Sequence, residues 1–273
     1  MAAGVTGIAS WEQYPWLRAG FSTRLGGLSN AYGPGELNLG WTKEDPAETV
    51  AANRKIFVDQ VVASDSPAEL VTVRQVHGNT IQLVHRGAPL ATPEGKAVLE
   101  GDGLITAERC LLLGVQTADC TPVLIADTRT RAVGAFHAGW RGTVARIVEH
   151  GVAAMAQEFG SRPEDMVAAI GPAIRQCCFA VGEDVRQRFE AEFAYAPELF
   201  TTLDGQLYAD LHAANRRQLL EAGLAPEAIT VIAECSACAR TEHSGRKYFS
   251  HRAEKGFTGR MMSVIGTFSS NVL

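Results

Sequence analysis

The chain has 273 residues, 46% hydrophobic and 20% charged, with a formal net charge of −5. That balance fits a soluble globular protein with a sizeable core. An acidic chain without a Lys/Arg run argues against a polyanion-binding surface, so neither nucleic acid nor a membrane is expected as a partner.

The opening "MAAGVTGIASWEQYPWL" lacks the basic start and unbroken apolar stretch of a secretory signal. The nearest thing to a membrane span, "CLLLGVQTADCTPVLIAD", is interrupted by Gln116, Thr117 and Asp119. A cytoplasmic location is expected, with the six cysteines reduced. In chain order, "ELVTVRQV" (69–76) and "TIQLV" (80–84) read as strands around a hairpin-like turn at His77, Gly78 and Asn79. The stretches 63–69 and 86–97 read as surface connections. "LLLGVQ" and "TPVLIAD" flank the tight bend "TADC", and "RAVGAF" leads into His137. In "TVARIVEHGVAAMAQEF" the spacing of Val144, Ile147, Val148, Met155 and Phe159 predicts one helix with an apolar face. "MVAAIGP" and "AITVIAE" are further β-rich runs. "EDVRQRFEAEF" and "YADLHAANRRQLLEAG" read as helices, the second stopped by Gly223. "KYFSHR" and "MMSVIGTF" suggest a last strand pair. No repeat or Pro/Ser-rich linker divides the chain, so residues 1–273 are expected to form one domain. Hairpins outnumber alternating units, which predicts an α+β fold with mixed β-sheets flanked by helices, layered α/β/β/α-like.

His77, Cys120 and His137 share a context, since each sits at the end of an apolar strand. Two imidazoles, a thiol and an open fourth position suit a catalytic zinc ion, which lowers the pKa of its bound water to about 7. Their spacing matches no local metal motif. "FSTRLGGLSN", "LNLG", "RQVHGNTI", "GDGLIT", "TADCTPVLIAD", "FHAGWRGTV", "IGPAIRQCCFAVGEDV", "DLHAANRRQL" and "YFSHRAEKGFTGRMMSVI" carry more. Taken together they resemble the laccase-domain family, also called peptidoglycan editing factor, multifunctional purine nucleoside phosphorylase or polyphenol oxidase family. The resemblance runs in order over most of the chain. It implies that His77, Cys120 and His137 ligate Zn2+, with Cu2+ also admissible. It also implies phosphorolysis of adenosine, inosine and methylthioadenosine, and deamination of adenosine. The partners would then be a small-molecule purine nucleoside and phosphate, with oligomeric state open and a monomer compatible.

Three alternatives stay open. Amide hydrolysis of a muramoyl-serine cell-wall precursor could use a metal-activated water, or Cys120 as nucleophile with His137 as base. Copper-dependent polyphenol oxidation could be a side activity, and a non-catalytic metal-stabilised binding module is the third. A full multicopper oxidase is disfavoured by seven histidines without a His-x-His pair. A cytidine-deaminase-type site would need an H-x-E motif that the chain lacks.

Arg141, beside the glycine-flanked helix start, is a candidate phosphate ligand, with a surface arginine as the plain alternative. Asn38 and Arg54 belong to the resembling motifs and are candidate pocket residues, unless they are a turn residue and a helix salt bridge. His251 is a candidate lining residue. His85, His150, His212 and His243 read as surface or helix residues. Cys235 and Cys238 form a lone CxxC, expected to be reduced and metal-free. Cys177 and Cys178 read as core packing near the site.

Overall fold

Two β-sheets lie face to face because several of their strands are apolar on both sides. The computed structural model describes residues 4–62, 67–88, 90–92 and 95–269. Parts of the two expected surface connections, residues 63–66, 89, 93 and 94, lie outside these. In the first sheet the order is Val5–Thr6, Leu17–Ser22, Met261–Thr267, Leu111–Thr117 and Glu69–Thr72, antiparallel except for the last pair. In the second it is Ile229–Val231, Met166–Ile170, Thr121–Asp127, Val133–Ala138, Gly103–Thr106 and Ile81–Leu83, with parallel pairs at both edges. A small antiparallel sheet joins Ala180–Val181, Gln206–Ala209 and Phe200–Leu203.

Period-two alternation divides each central strand between two cores. Leu111, Leu113 and Val115 meet Leu124, Val133 and Ala135 between the sheets. Leu112, Met262 and Val264 face Phe57 of the helix Ala47–Val62. Val123, Ile125 and Phe136 face Ile147, Val152 and Met155 of the helix Ile147–Phe159 and Leu219 of the helix Leu211–Glu221. Helix, sheet, sheet and helix thus stack in the expected α+β order. Gly151 permits the close helix contact, since a Cβ there would come within 2.5 Å of the Phe136 ring. No helix among the described residues is long and apolar enough to cross a membrane.

Several local expectations are corrected. The runs around His77 do not form a hairpin: Glu69–Thr72 belongs to the first sheet and Ile81–Leu83 to the second. The bend "TADC" likewise carries the chain from one sheet to the other. The helix expected over 143–159 is broken. A short helix Trp140–Val144 ends, Arg146 adopts φ 57, and a new helix starts at Ile147. Arg146 is held there by Glu149 at 3.0 Å and Glu192 at 2.6 Å. The helix expected to start at Tyr208 starts at Leu211, because Tyr208 and Ala209 pair as strand and Asp210 caps by accepting the Ala213 N–H. "KYFSHR" is not a strand. Met261–Thr267 instead pairs with Leu17–Ser22 and Leu111–Thr117.

Candidate metal centre

His77 and Cys120 stand on the two crossings between the sheets, and His137 lies on the strand Val133–Ala138, opposite Pro122. Both crossings bend sharply, with His77 at φ 62 and Asp119 at φ 96. A non-glycine residue held there costs about 1–3 kcal/mol and persists only where its surroundings fix it. Two carboxylates do so. The fully buried Asp102 accepts the backbone N–H groups of Val76 (3.2 Å), His77 (3.0 Å) and Gly78 (2.7 Å). Asp119 accepts the hydroxyls of Ser236 (2.7 Å) and Ser250 (2.6 Å) and the Arg252 N–H (2.7 Å). The bonds to Asp119 also explain why "KYFSHR" leaves the sheet.

Asp102 also accepts the Nδ1–H of His137 at 2.7 Å. Nε2 is then the ring nitrogen left for a ligand, and the carboxylate fixes both tautomer and ring plane. The His77 ring stands edge-on to the His137 ring, with centroids 4.9 Å apart. One ligand atom from each of His77, Cys120 and His137 lies within 4.8 Å of the other two. Gly139 leaves room for them, since a Cβ there would lie 3.0 Å from Cys120 Sγ and 3.2 Å from His77 Cδ2.

The electrostatics suit a metal ligand set. Burial alone would push the Cys120 thiol up, but His137 and His77 beside it outweigh burial and bring it down to about 6. Burial would lower His137, but Cys120 and Asp102 raise it to about 9. Burial also opposes ionisation of Asp102, yet His137 and the backbone N–H donors hold its carboxyl below the usual range. The neighbouring imidazoles thus favour the thiolate form of Cys120, the form that binds a metal. A divalent cation would displace protons from Sγ and Nε2 on binding. One thiolate and two imidazoles fit such an ion.

A cleft of about 830 Å3 opens over these three residues, with Trp41 and Phe179 among its walls. His251 lines it, as expected, and so do Arg74, Arg252 and Arg260. Arg74 is paired with Glu100. Arg260 donates to the carbonyls of Thr258 (2.9 Å) and Gly259 (3.0 Å), and Arg252 lies over Phe179 at 5.7 Å. Neither of these two arginines is ion-paired among the described residues.

The other candidates are placed differently. Arg141 is exposed, stacks on Trp140 at 4.4 Å and is not among the residues lining the cleft. Asn38 is fully buried and acts on backbone: its Oδ1 accepts from Gly40 (3.1 Å) and Arg260 (2.9 Å), and its Nδ2 donates to Asp45 at 2.8 Å. Arg54 is also buried, donating to the Leu39 carbonyl at 2.9 Å and stacking on Trp41 at 4.6 Å. Burial draws its pKa down to about 10. Asn38 and Arg54 therefore support Arg260 and Trp41 rather than lining the cleft themselves. The CxxC is not alone, because the sulfurs of Cys177, Cys178, Cys235 and Cys238 lie within 4.8 Å of one another. Asp102, Asp119, Arg252 and Arg260 were missed, although all four sit inside quoted motifs.

Residues 18–267 match a family model described as multi-copper polyphenol oxidoreductase laccase. A purine nucleoside phosphorylase of Deinococcus radiodurans is 39% identical over 246 residues, covering 90% of this chain and 87% of that protein. An adenosine deaminase, RL5, from an unknown prokaryotic organism is 34% identical over 70% of this chain and 74% of its own length. Among solved structures, YlmD from Geobacillus stearothermophilus superposes with a TM-score of 0.84 at 33% identity, covering 98% of both chains. The YfiH protein of Bacillus licheniformis does so with 0.87 at 33% identity over 97% of each chain. The fold and the full-length match together place the chain in this laccase-like family of enzymes.

Proposed function

We propose that this chain is a zinc-dependent purine nucleoside phosphorylase, acting on adenosine, inosine and methylthioadenosine, that also deaminates adenosine. The observation that carries this reading is the meeting of His77, Cys120 and His137 in a cleft that also holds two aromatic walls and two arginines with no carboxylate partner among the described residues. His77, Cys120 and His137 would hold the ion, and when bound it supplies Lewis-acid chemistry, activating water or polarising a reacting oxygen. Zinc suits this donor set, and copper remains chemically admissible.

The chain's own residues supply the rest. Asp102 holds His137 in one tautomer, so Nε2 is available without reorganisation. Trp41 and Phe179 offer flat apolar faces for a nucleobase. Arg252 and Arg260 give an acidic protein a local positive potential for phosphate, the role expected of Arg141. In phosphorolysis a phosphate oxygen bonds to the anomeric carbon as the glycosidic bond breaks, and the base leaves with a proton. In deamination, water adds at the amino-bearing carbon and ammonia leaves.

The test is inosine cleavage by zinc-loaded protein with and without phosphate. Phosphate-dependent formation of ribose 1-phosphate, lost on chelation and restored by Zn2+, is the expected result. Arg260→Ala should raise the phosphate KM about tenfold or more, the cost of one charge-assisted contact. Arg141→Ala should change it less than about twofold, as expected of a surface side chain. Inosine left intact in every condition would overturn the reading. The closeness of Cys120 and His137 favours a second one in amide hydrolysis, with Cys120 as nucleophile and His137 as the base that takes the thiol proton and returns it to the leaving amine. Cleavage of a muramoyl-serine substrate that survives chelation would establish that one instead.

A further inference from the structure

Four more sulfurs converge away from His77, Cys120 and His137. Cys177 and Cys178 lie on a turn after Ile174, and Cys235 and Cys238 on the turn that follows the strand Ile229–Val231. We propose that Cys177, Cys178, Cys235 and Cys238 form a tetrathiolate site for a structural Zn2+ ion that staples two loops at the wall of the cleft.

Spacing is the first argument. A tetrahedral ion with Zn–S distances near 2.3 Å sets its sulfurs about 3.8 Å apart. Cys177 Sγ and Cys238 Sγ are 3.8 Å apart, and all four sulfurs lie within 4.8 Å of one another. A disulfide would join only two of them and leave the convergence of the other pair without a purpose.

The second argument is the direction of the backbone donors. Cys235 Sγ accepts the Arg175 N–H at 3.5 Å and also receives the N–H groups of Ala237 and Cys238. Amides aimed at a sulfur stabilise the thiolate that a metal binds. Four sulfurs this close cannot all ionise without a cation among them. A divalent ion removes that conflict as the remaining thiol protons leave to solvent. Arg246, which donates to the Ala237 carbonyl at 2.7 Å, and Arg175, which donates to the Ala233 carbonyl at 3.0 Å, offset the charge of a four-thiolate centre.

The staple would matter to the cleft. Ile174 and Phe179, which flank one loop, line it, and Ser236 in the other bonds Asp119 next to Cys120.

The experiment compares metal content with thiol protection on intact protein. Protein grown with zinc should carry about two equivalents per chain, one for each cluster. His77→Ala/His137→Ala should retain one equivalent, and Cys235→Ser/Cys238→Ser should retain the other. The wild-type protein gives a control that needs no variant. Cys177 and Cys238 are exposed, so in zinc-loaded protein they should resist iodoacetamide and become labelled by it after chelation. Loaded with Co2+, the His77→Ala/His137→Ala protein should keep an intense sulfur-to-metal charge-transfer band. Equal labelling of Cys177 and Cys238 before and after chelation would overturn the proposal. So would a Cys177–Cys238 disulfide in the zinc-grown protein. Neither result depends on which substrate the other centre takes.

Discussion

Asp102 does more for the candidate metal centre than any residue that would touch the metal. Its carboxylate sets the His137 ring and also closes the turn that carries His77, so one side chain fixes two candidate ligands, one on a strand and one on a crossing. Asp102→Asn keeps the shape but removes the charge and turns one acceptor oxygen into a donor that faces N–H groups. We expect about 10–100-fold weaker zinc binding in competition with a chromophoric chelator, the usual loss when a ligand's supporting partner is removed. Unchanged affinity would show that His137 orients itself. At this scale the sequence was only half legible. His77, Cys120 and His137 could be picked out as soft ligands at strand ends. Asp102 could not, because a single buried carboxylate in "GDGLIT" has no pattern of its own until its donors are known. Arg141 misled because a helix start beside glycine has the right local chemistry while its side chain stacks on Trp140 outside the cleft.

Among the elements, the strands were legible and their partners were not. Burial of "LLLGVQT" and "TPVLIAD" follows from composition alone, but both runs are apolar on each face, so nothing local reveals that they enter different sheets. The helix Ala47–Val62 escaped notice because its apolar residues form only a weak stripe. The break at Arg146 depends on Glu192, far along the chain. The link between Thr121–Asp127 and Val133–Ala138 turns on one carboxylate. The buried Asp127 accepts the N–H groups of Arg129 (2.7 Å) and Thr130 (2.9 Å) there. Burial opposes its ionisation, but these donors and the Ser161 and Thr130 hydroxyls hold the carboxyl below its usual range. A depressed folded-state pKa means stability present above the unfolded value near 4 and lost as pH falls through the folded one. Asp127→Asn should therefore cost about 1–2 kcal/mol at pH 7 in urea unfolding, with the gap closing in strong acid. A gap that stays constant with pH would show that the charge plays no part.

For the molecule as a whole, the order of strands in space departs furthest from their order in sequence. Met261–Thr267 lies at the centre of the first sheet, between Leu17–Ser22 and Leu111–Thr117. Those two strands, some ninety residues apart by rough count, have no direct ladder with each other, and late non-local pairing of this kind slows folding. Every sulfur and imidazole of the two candidate clusters lies upstream of Met261. A chain ending at residue 260 should nevertheless bind zinc far more weakly at both clusters in equilibrium dialysis, because the sheet that aligns the two crossings lacks its middle. Full affinity in that truncation would show that the clusters assemble locally. All seven residues of the two candidate clusters thus precede in sequence the strand that completes the frame orienting them. On the proposed reading, ion uptake waits for that strand to pair, so the two centres fill only once the first sheet has closed around its middle.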